Sequence, residues 1–136
     1  MDTFEFIIDG PPVSQQTRRR RRLVEWRQAV LTAARSFWPA GALPFGGLVS
    51  VTVFYFYVDA PVDIDNIVKP IHDALIGLVY ADDLQVSDSI NRRRALHGEF
   101  FVGEITPILA MGLDRRTEFL YVRVSDAPDR GGLYFA

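Results

Sequence analysis

The sequence LVSVTVFYFYV, from Leu48 to Val58, determines how the rest of the chain can be arranged, because β-branched and aromatic residues occupy both of its faces. Strands with two apolar faces are typical of the interior of a sheet. We therefore predict a long central strand here. Pro61 ends it, because proline lacks the N–H that would continue a ladder of hydrogen bonds.

Two amphipathic helices are predicted on either side of this strand. Apolar residues recur at three- and four-residue intervals from about Thr17 to Phe37, and again from about Asn66 to Leu78. Pro70 fits the second helix only in or near its first turn, where backbone N–H groups have no intrahelical acceptor. The second helix is therefore expected to begin near Asn66 and to end near Gly77.

Three further strands are predicted from apolar and polar alternation or from their position in the chain. They cover Thr3–Asp9, Gln85–Arg92 and Glu118–Val124. The resulting order, β-α-β-α-β-(insert)-β, predicts a two-layer α+β fold with one mixed β-sheet and two main helices, forming a single domain over residues 1–136.

The insert, at about residues 95–116, is expected to be mostly irregular. Within it, Thr106, Pro107 and Gly112 predict a short helix with an N-cap, a proline at its first position and a glycine just beyond its end.

Composition excludes several classes of protein. The chain of 136 residues contains no cysteine, so disulfide scaffolds, thiolate zinc sites and cysteine nucleophiles are excluded. No apolar run approaches the length of a membrane span, and the first residues lack the features of a signal peptide. We therefore expect a soluble, cytoplasmic protein with no membrane partner.

Charge is distributed unevenly along the chain, although the formal net charge is only −2. The window from Asp63 to Asp83 contains five aspartates and one lysine, Lys69, which is the only lysine in the chain. Outside this window the basic residues are all arginine, and they slightly outnumber the acidic ones. The sequence thus divides into an acidic window and a mildly basic remainder.

The acidic window contains two pairs of aspartates. Asp63 and Asp65 are two residues apart, and in an extended chain their carboxylates would project to the same side. Two such carboxylates repel each other, and a hard divalent cation such as Mg²⁺ relieves the repulsion. Asp82 and Asp83 form a second pair, which can meet the first only if residues 79–82 run back along the sheet.

Structural alternatives exist for each of these residues. Asp65 would cap the second helix, and Asp82 and Asp83 would form a turn. Lys69 would either hold a phosphate near the mouth of the site or form a surface ion pair with Asp73, four residues along the helix.

A run of five arginines opens the first predicted helix, preceded by polar residues. Cations are unfavourable at a helix N-terminus, but a bound polyanion would reverse this effect. A frayed, solvated basic turn is the structural alternative. The predicted DNA-binding residues are Gln15, Gln16, Arg18, Arg19, Arg20, Arg21 and Arg22. His72 and His97 are both predicted to be structural.

The acidic window also carries a specific pattern, D-x-D-N-x-x-K-x-x-x-D-A-L from Asp63 to Leu75, followed by D-D-x-Q-V from Asp82 to Val86. This pattern resembles the signature of the RusA family of Holliday-junction resolvases, which are small, homodimeric, magnesium-dependent endonucleases. The Gly10-Pro11-Pro12 turn after the first strand is similar as well. The insert departs from the family pattern, and it is interpreted as a dimer element, a DNA-contacting lid or a family variation.

The resemblance implies roles for individual residues. It implies that Asp63, Asp65 and Asp83 are the catalytic, metal-binding carboxylates and that Lys69 is the catalytic lysine. Residues that match the pattern but are expected to orient these groups are Asn66, Asp73 and Asp82. It further implies Mg²⁺ as the cofactor, with Mn²⁺ as a substitute, and a four-way DNA junction as the partner of a homodimer.

Three hypotheses follow. The leading one is a Mg²⁺-dependent endonuclease that resolves Holliday junctions by paired phosphodiester hydrolysis. The second keeps this chemistry but changes the substrate to other branched or single-stranded DNA. The third is a non-catalytic junction-binding protein whose acidic residues are structural.

Overall fold

The computed structural model describes residues 2–128 and residue 133. In this part of the chain, the α-helices and β-strands alternate as the sequence predicts, and the short helix predicted within the insert is present. The elements are β1 (Thr3–Asp9), α1 (Arg20–Phe37), β2 (Val49–Tyr57), α2 (Asp65–Ala74), β3 (Val86–Ala95), α3 (Pro107–Arg115) and β4 (Phe119–Asp126). A single 3₁₀ turn, Asp83–Gln85, precedes β3.

The four strands form one sheet in the order β1-β4-β2-β3. β4 is antiparallel to both β1 and β2, whereas β3 is parallel to β2, with Val49 of β2 opposite Val86 of β3. The sheet is therefore mixed, and β2 lies inside it, as its two apolar faces predict. The predicted α+β fold is confirmed.

The main core lies between the sheet and helices α1 and α2. Alternate residues of β1, β2 and β4 point into it because successive side chains of a strand face opposite sides of the sheet. These buried residues are Phe4, Phe6, Ile8, Val49, Val51, Val53, Tyr55, Leu120, Val122 and Val124. The helices contribute their apolar stripes, from Trp26, Val30 and Ala34 of α1 and from Ile67, Ile71 and Ala74 of α2.

A second, smaller core lies on the opposite face of the sheet, under α3. It contains Ile7, Phe56, Leu109, Phe119 and Tyr121. The sheet therefore has helices on both faces, and the insert is less irregular than expected. Beyond α3, part of this face is an open cleft of about 790 Å³, whose lining includes Phe54, Arg92 and Arg123.

The start of α3 agrees with the sequence prediction, but its end does not. The hydroxyl of Thr106 accepts a hydrogen bond from the N–H of Leu109, and Pro107 is the first helical residue. Gly112 was expected just beyond the helix but lies within it, facing the ring of Phe119. The helix ends instead at Arg115, and Arg116, which follows it, has a left-handed φ of 57°.

The bounds of the two main helices also differ from the prediction. α1 begins at Arg20 and not near Thr17, because residues 14–19 form turns that use the hydroxyls of Ser14 and Thr17. α2 ends at Ala74, three residues before Gly77, whose φ is 94°. Within the part of the chain that the structure describes, no helix has both the length and the apolar character needed to span a membrane.

Gly112→Ala separates two physical effects that act in opposite directions. Inside a helix, alanine is favoured over glycine by roughly 0.8–1.0 kcal/mol. Here, however, a Cβ would lie 2.7 Å from Cδ2 of Phe119, which is fully buried, so the ring or the helix has to move. Overpacking costs about 1–3 kcal/mol, and the helix gain offsets part of this cost. We expect a net destabilisation of up to about 2 kcal/mol, measured by urea denaturation.

Gly46→Ala is the matched control, because nothing lies within 4 Å of a Cβ at that position. The control is expected to unfold at nearly the same urea concentration as the wild type. A Gly112→Ala variant as stable as the wild type would show that α3 does not depend on its close approach to Phe119.

Candidate functional site

The first pair of aspartates lies where the loop after β2 enters α2. Asp65 is the first residue of α2, and Ile64 before it has α-helical dihedral angles, φ −61° and ψ −35°. The segment from Asp63 to Asp65 is therefore not extended. The prediction that an extended chain projects both carboxylates to the same side is wrong. Both side chains are exposed at the N-terminus of α2, where the helix dipole stabilises negative charge.

The capping role considered for Asp65 is also wrong. Asp65 lies inside the helix, and among the described residues no side chain caps the N-terminus of α2. Its carboxylate is therefore not committed to the local backbone, as it would be in a capping residue. The residue remains available to a ligand or to DNA.

The second pair lies in the 3₁₀ turn before β3, and its two members are held differently. Asp82 accepts a hydrogen bond from the N–H of Leu84 at 2.9 Å, and this bond lowers the pKa of its carboxyl. The side-chain oxygen of Gln85 accepts from the N–H of Asp82 in return, which completes a capping box. The turn-forming role considered for Asp82 is thus confirmed, and Asp83 is exposed beside it.

Gln85 also fixes this turn to the start of the central strand. Its side-chain nitrogen donates to the carbonyls of Phe45 and Gly47, at 2.8 and 2.9 Å. This role of Gln85, which joins the turn to the residues before β2, was not predicted from the sequence. The pattern D-x-x-Q from Asp82 to Gln85 is the signal that predicts such a capping box.

The segment from Val79 to Asp82 does not run back toward Asp63, as the predicted site requires. Instead, the N–H of Phe45 donates to the carbonyl of Val79 at 2.8 Å, just before β2 begins. Because β2 and β3 are parallel, Asp83 lies near the start of this strand pair, whereas Asp63 follows the end of β2. Helix α2, about 15 Å long, connects the two ends.

The three aspartates are accordingly not gathered into one cluster. Within residues 2–128 and residue 133, no three or more His, Asp or Glu side chains are grouped closely enough to hold a metal ion. The assignment of Asp63, Asp65 and Asp83 as joint metal ligands stays a prediction from the family pattern.

Lys69 lies on α2 between the two acidic pairs. Its ammonium donates to Asp73 at 3.2 Å, and its side chain is 59 % exposed. The structure thus contains the surface ion pair that the sequence offered as an alternative role for Lys69. Lys69 follows Asp65 by four residues and precedes Asp73 by four, so the three share one face of the helix.

Two partly or fully buried side chains, His72 and Tyr80, lie near the second half of α2. The hydroxyl of Tyr80 donates to the carbonyl of His72 at 2.7 Å. Burial lowers the pKa of His72 and raises that of Tyr80 well above its usual value. The negative charges of Asp73 and Asp83 raise both pKa values, against the effect of burial in His72 and together with it in Tyr80.

The five arginines of the run, Arg18 to Arg22, are exposed, and one of them differs from the others. The guanidinium of Arg20 donates to the carbonyls of Gln15 and Thr17, at 3.0 and 3.2 Å. Among the described residues, no side chain of Arg18, Arg19, Arg21 or Arg22 forms an ion pair or hydrogen bond. Those four guanidinium groups are available to phosphates.

The loop before α1, residues 14–19, contacts the first turn of α2 directly. The backbone N–H of Gln15 donates to the carbonyl of Asn66 at 2.7 Å. The loop that leads into α1 is therefore a neighbour of the first turn of α2. Arg92 and Arg94, in contrast, line the cleft on the opposite face of the sheet.

His72 predicts a dependence of stability on pH. Because burial lowers its pKa in the folded protein, the unfolded chain binds a proton at higher pH than the folded one does. This contribution to stability is complete above the ordinary histidine pKa of 6.5 and declines as the pH falls below it. In urea denaturation between about pH 7.5 and about pH 5, His72→Gln should lose less stability than the wild type.

His97→Gln is the matched control for this comparison. His97 is exposed and is the only other histidine in the chain, so its replacement should preserve the wild-type pH dependence. Identical pH dependence in wild type and His72→Gln would show that the imidazole of His72 is not buried in its neutral form.

Comparison with known proteins identifies the family. The family model described as Endodeoxyribonuclease RusA matches residues 9–99. This range is about two thirds of the chain, and it contains the arginine run, both acidic pairs and Lys69. No curated protein matches the chain. The resemblance found in the sequence is thereby confirmed, and the chain belongs to the RusA family of endodeoxyribonucleases.

Proposed function

We propose that the protein is a Mg²⁺-dependent endonuclease that resolves Holliday junctions by paired phosphodiester hydrolysis. The observation that carries this proposal is the contact between Gln15 and Asn66 inside the matched region. It holds a polycationic loop, suited to a DNA backbone, against a helix start that presents two exposed carboxylates.

The chemistry of the donors fits magnesium. Mg²⁺ takes hard oxygen ligands and is commonly held by one or two carboxylates, with water and substrate phosphate completing its coordination. Asp63 and Asp65 are exposed carboxylates that follow one another closely at the N-terminus of α2. We assign these two as the principal ligands, and Asp83 as a third on the family pattern alone.

When bound, Mg²⁺ would polarise the scissile phosphate and lower the pKa of a water molecule. Lys69 offsets the negative charge that develops on the phosphate, exchanging its present anionic partner, Asp73, for the substrate. The exposed Lys69 side chain lies one helical turn from Asp65, so this exchange needs only rotation about its side-chain bonds.

The residues assigned to orient these groups have identifiable contacts. Asp82 holds the turn that carries Asp83, through its bond to Leu84. Asp73 holds the ammonium of Lys69, and the carbonyl of Asn66 holds the loop that leads to the arginines. Gln16, which is exposed in that loop, adds a donor for the sugar-phosphate backbone.

Replacement of a ligand tests the proposal. Asp65→Asn should reduce cleavage of a synthetic immobile junction in Mg²⁺ by at least about 100-fold, because it removes a carboxylate from the metal. Strand cleavage is measured on a denaturing gel at fixed ionic strength. Asp59→Asn is the matched control, since it makes the same change of charge at an exposed position in the loop after β2.

Undiminished cleavage by Asp65→Asn would overturn the proposal. A panel containing flaps, forks and single strands, run beside the junction, identifies other substrates for the same chemistry. Tight junction binding in EDTA, without cleavage or metal binding in calorimetric titration, would support the non-catalytic alternative instead.

We also propose that the active form is a homodimer. A four-way junction has two-fold symmetry and is cut on two strands, so a symmetric pair of subunits with one site each matches it. Mixing the wild type with Asp65→Asn before dilution creates dimers with one active site. On a cruciform plasmid these should yield nicked circles, whereas the wild type yields linear DNA; linear products at an unchanged ratio would contradict the dimer.

A further inference from the structure

Helix α2 has a gap in its hydrogen-bond pattern, and another part of the chain occupies it. Pro70 lies in the second turn of α2, where the N–H of an ordinary residue would donate to the carbonyl of residue 66. Proline has no such donor, so the carbonyl of Asn66 is left free. The N–H of Gln15 takes this place, with a donor–acceptor distance of 2.7 Å.

The same peptide segment is held from its other side by α1. Arg20 donates through one nitrogen to the carbonyls of both Gln15 and Thr17. Gln15 is therefore bonded to α2 through its N–H and to α1 through its C=O. These bonds form a continuous link, Asn66 to Gln15 to Arg20, which we call the loop link.

The loop link joins the two halves of the proposed site. Asn66 follows Asp65 directly, and Arg20 lies within the arginine run. When the loop link is intact, the arginines that would bind phosphate therefore keep a fixed position relative to the carboxylates on α2. Arg20 is already bonded within the protein, so it contributes less to phosphate binding than its neighbours do.

We propose that Pro70 and Arg20 are positioning residues, which set the scissile phosphate relative to the carboxylates through the loop link. This inference rests on the proposed nuclease function. Pro70 acts by withholding a donor from Asn66, and Arg20 acts by holding the carbonyl of Gln15. Neither side chain is assigned a contact with the reacting atoms.

Pro70→Ala tests the first role. Alanine returns an N–H that competes with Gln15 for the carbonyl of Asn66, while it removes a residue unfavourable in a helix interior. The ring of Pro70 is buried, so its removal also costs packing, and the two effects offset each other. The variant should therefore melt within a few degrees of the wild type. Its kcat for junction cleavage should nevertheless fall at least about tenfold, with junction affinity unchanged.

Pro107→Ala is the matched control. Pro107 is the first residue of α3, where a restored N–H has no intrahelical acceptor to take from another group. This variant should cleave as the wild type does. A merely structural role for Pro70 would not produce a variant that is as stable as the wild type and yet slower.

Arg20→Ala tests the second role, with Arg21→Ala as its comparison. Each removes one positive charge from adjacent positions, so each lowers the salt dependence of junction binding by up to about 0.9 in log–log slope. The larger loss of kcat should occur in Arg20→Ala. The double variant Pro70→Ala, Arg20→Ala should be no slower than the slower single variant, because both break one link.

Hydrogen exchange at the amide of Gln15 provides a readout that does not depend on cleavage. The amide should be protected in the wild type and exchange at least about tenfold faster in Pro70→Ala. Wild-type kcat in Pro70→Ala, or equal losses of kcat in Arg20→Ala and Arg21→Ala, would overturn the positioning role alone. A protected Gln15 amide in a wild type that cleaves no junction would overturn the nuclease function and, with it, the positioning role.

Discussion

The parallel pairing of β2 with β3 is the constraint on which the arrangement of the site depends. Two parallel neighbours require a connection that crosses the full length of the sheet, and α2 makes most of that crossing. The residues before α2 and those after it therefore lie at opposite ends of the strand pair. Two acidic pairs that are close in the sequence pattern are thus separated by a helix, with Lys69 between them.

Helix α2 consequently does more than fill one side of the core. Its apolar stripe packs on the sheet, while its exposed face carries Asp65, Lys69 and Asp73 in successive turns. The carbonyl of Asn66, which Pro70 leaves without an intrahelical donor, accepts a hydrogen bond from the loop before α1. One short helix therefore contacts the core, carries the charged groups and binds the loop before α1.

Much of this fold could be predicted because periodicity is a local property of the sequence. The two apolar faces of β2 and the apolar stripes of α1 and α2 predicted the central strand and both helices. Tertiary contacts decided what remained. Glycine is typical of a helix end, but Gly112 lies within α3. It is glycine there because Phe119 leaves no space for a side chain. The site was harder to predict, because the chain at Asp63 and Asp65 already turns into α2. The return of residues 79–82 that a joint site requires also depends on strand pairing, which is not a local property of the sequence.

Lys69 has one further consequence, since it is the only side-chain amine of the protein and is well exposed. Reagents that modify primary amines at side chains have a single target here, at the centre of the charged face of α2. A fluorophore or an isotopically labelled methyl group attached at this nitrogen would report on that face without interference from the fourteen arginines. The protein therefore has one side-chain amine for labelling, on α2 between its two pairs of aspartates.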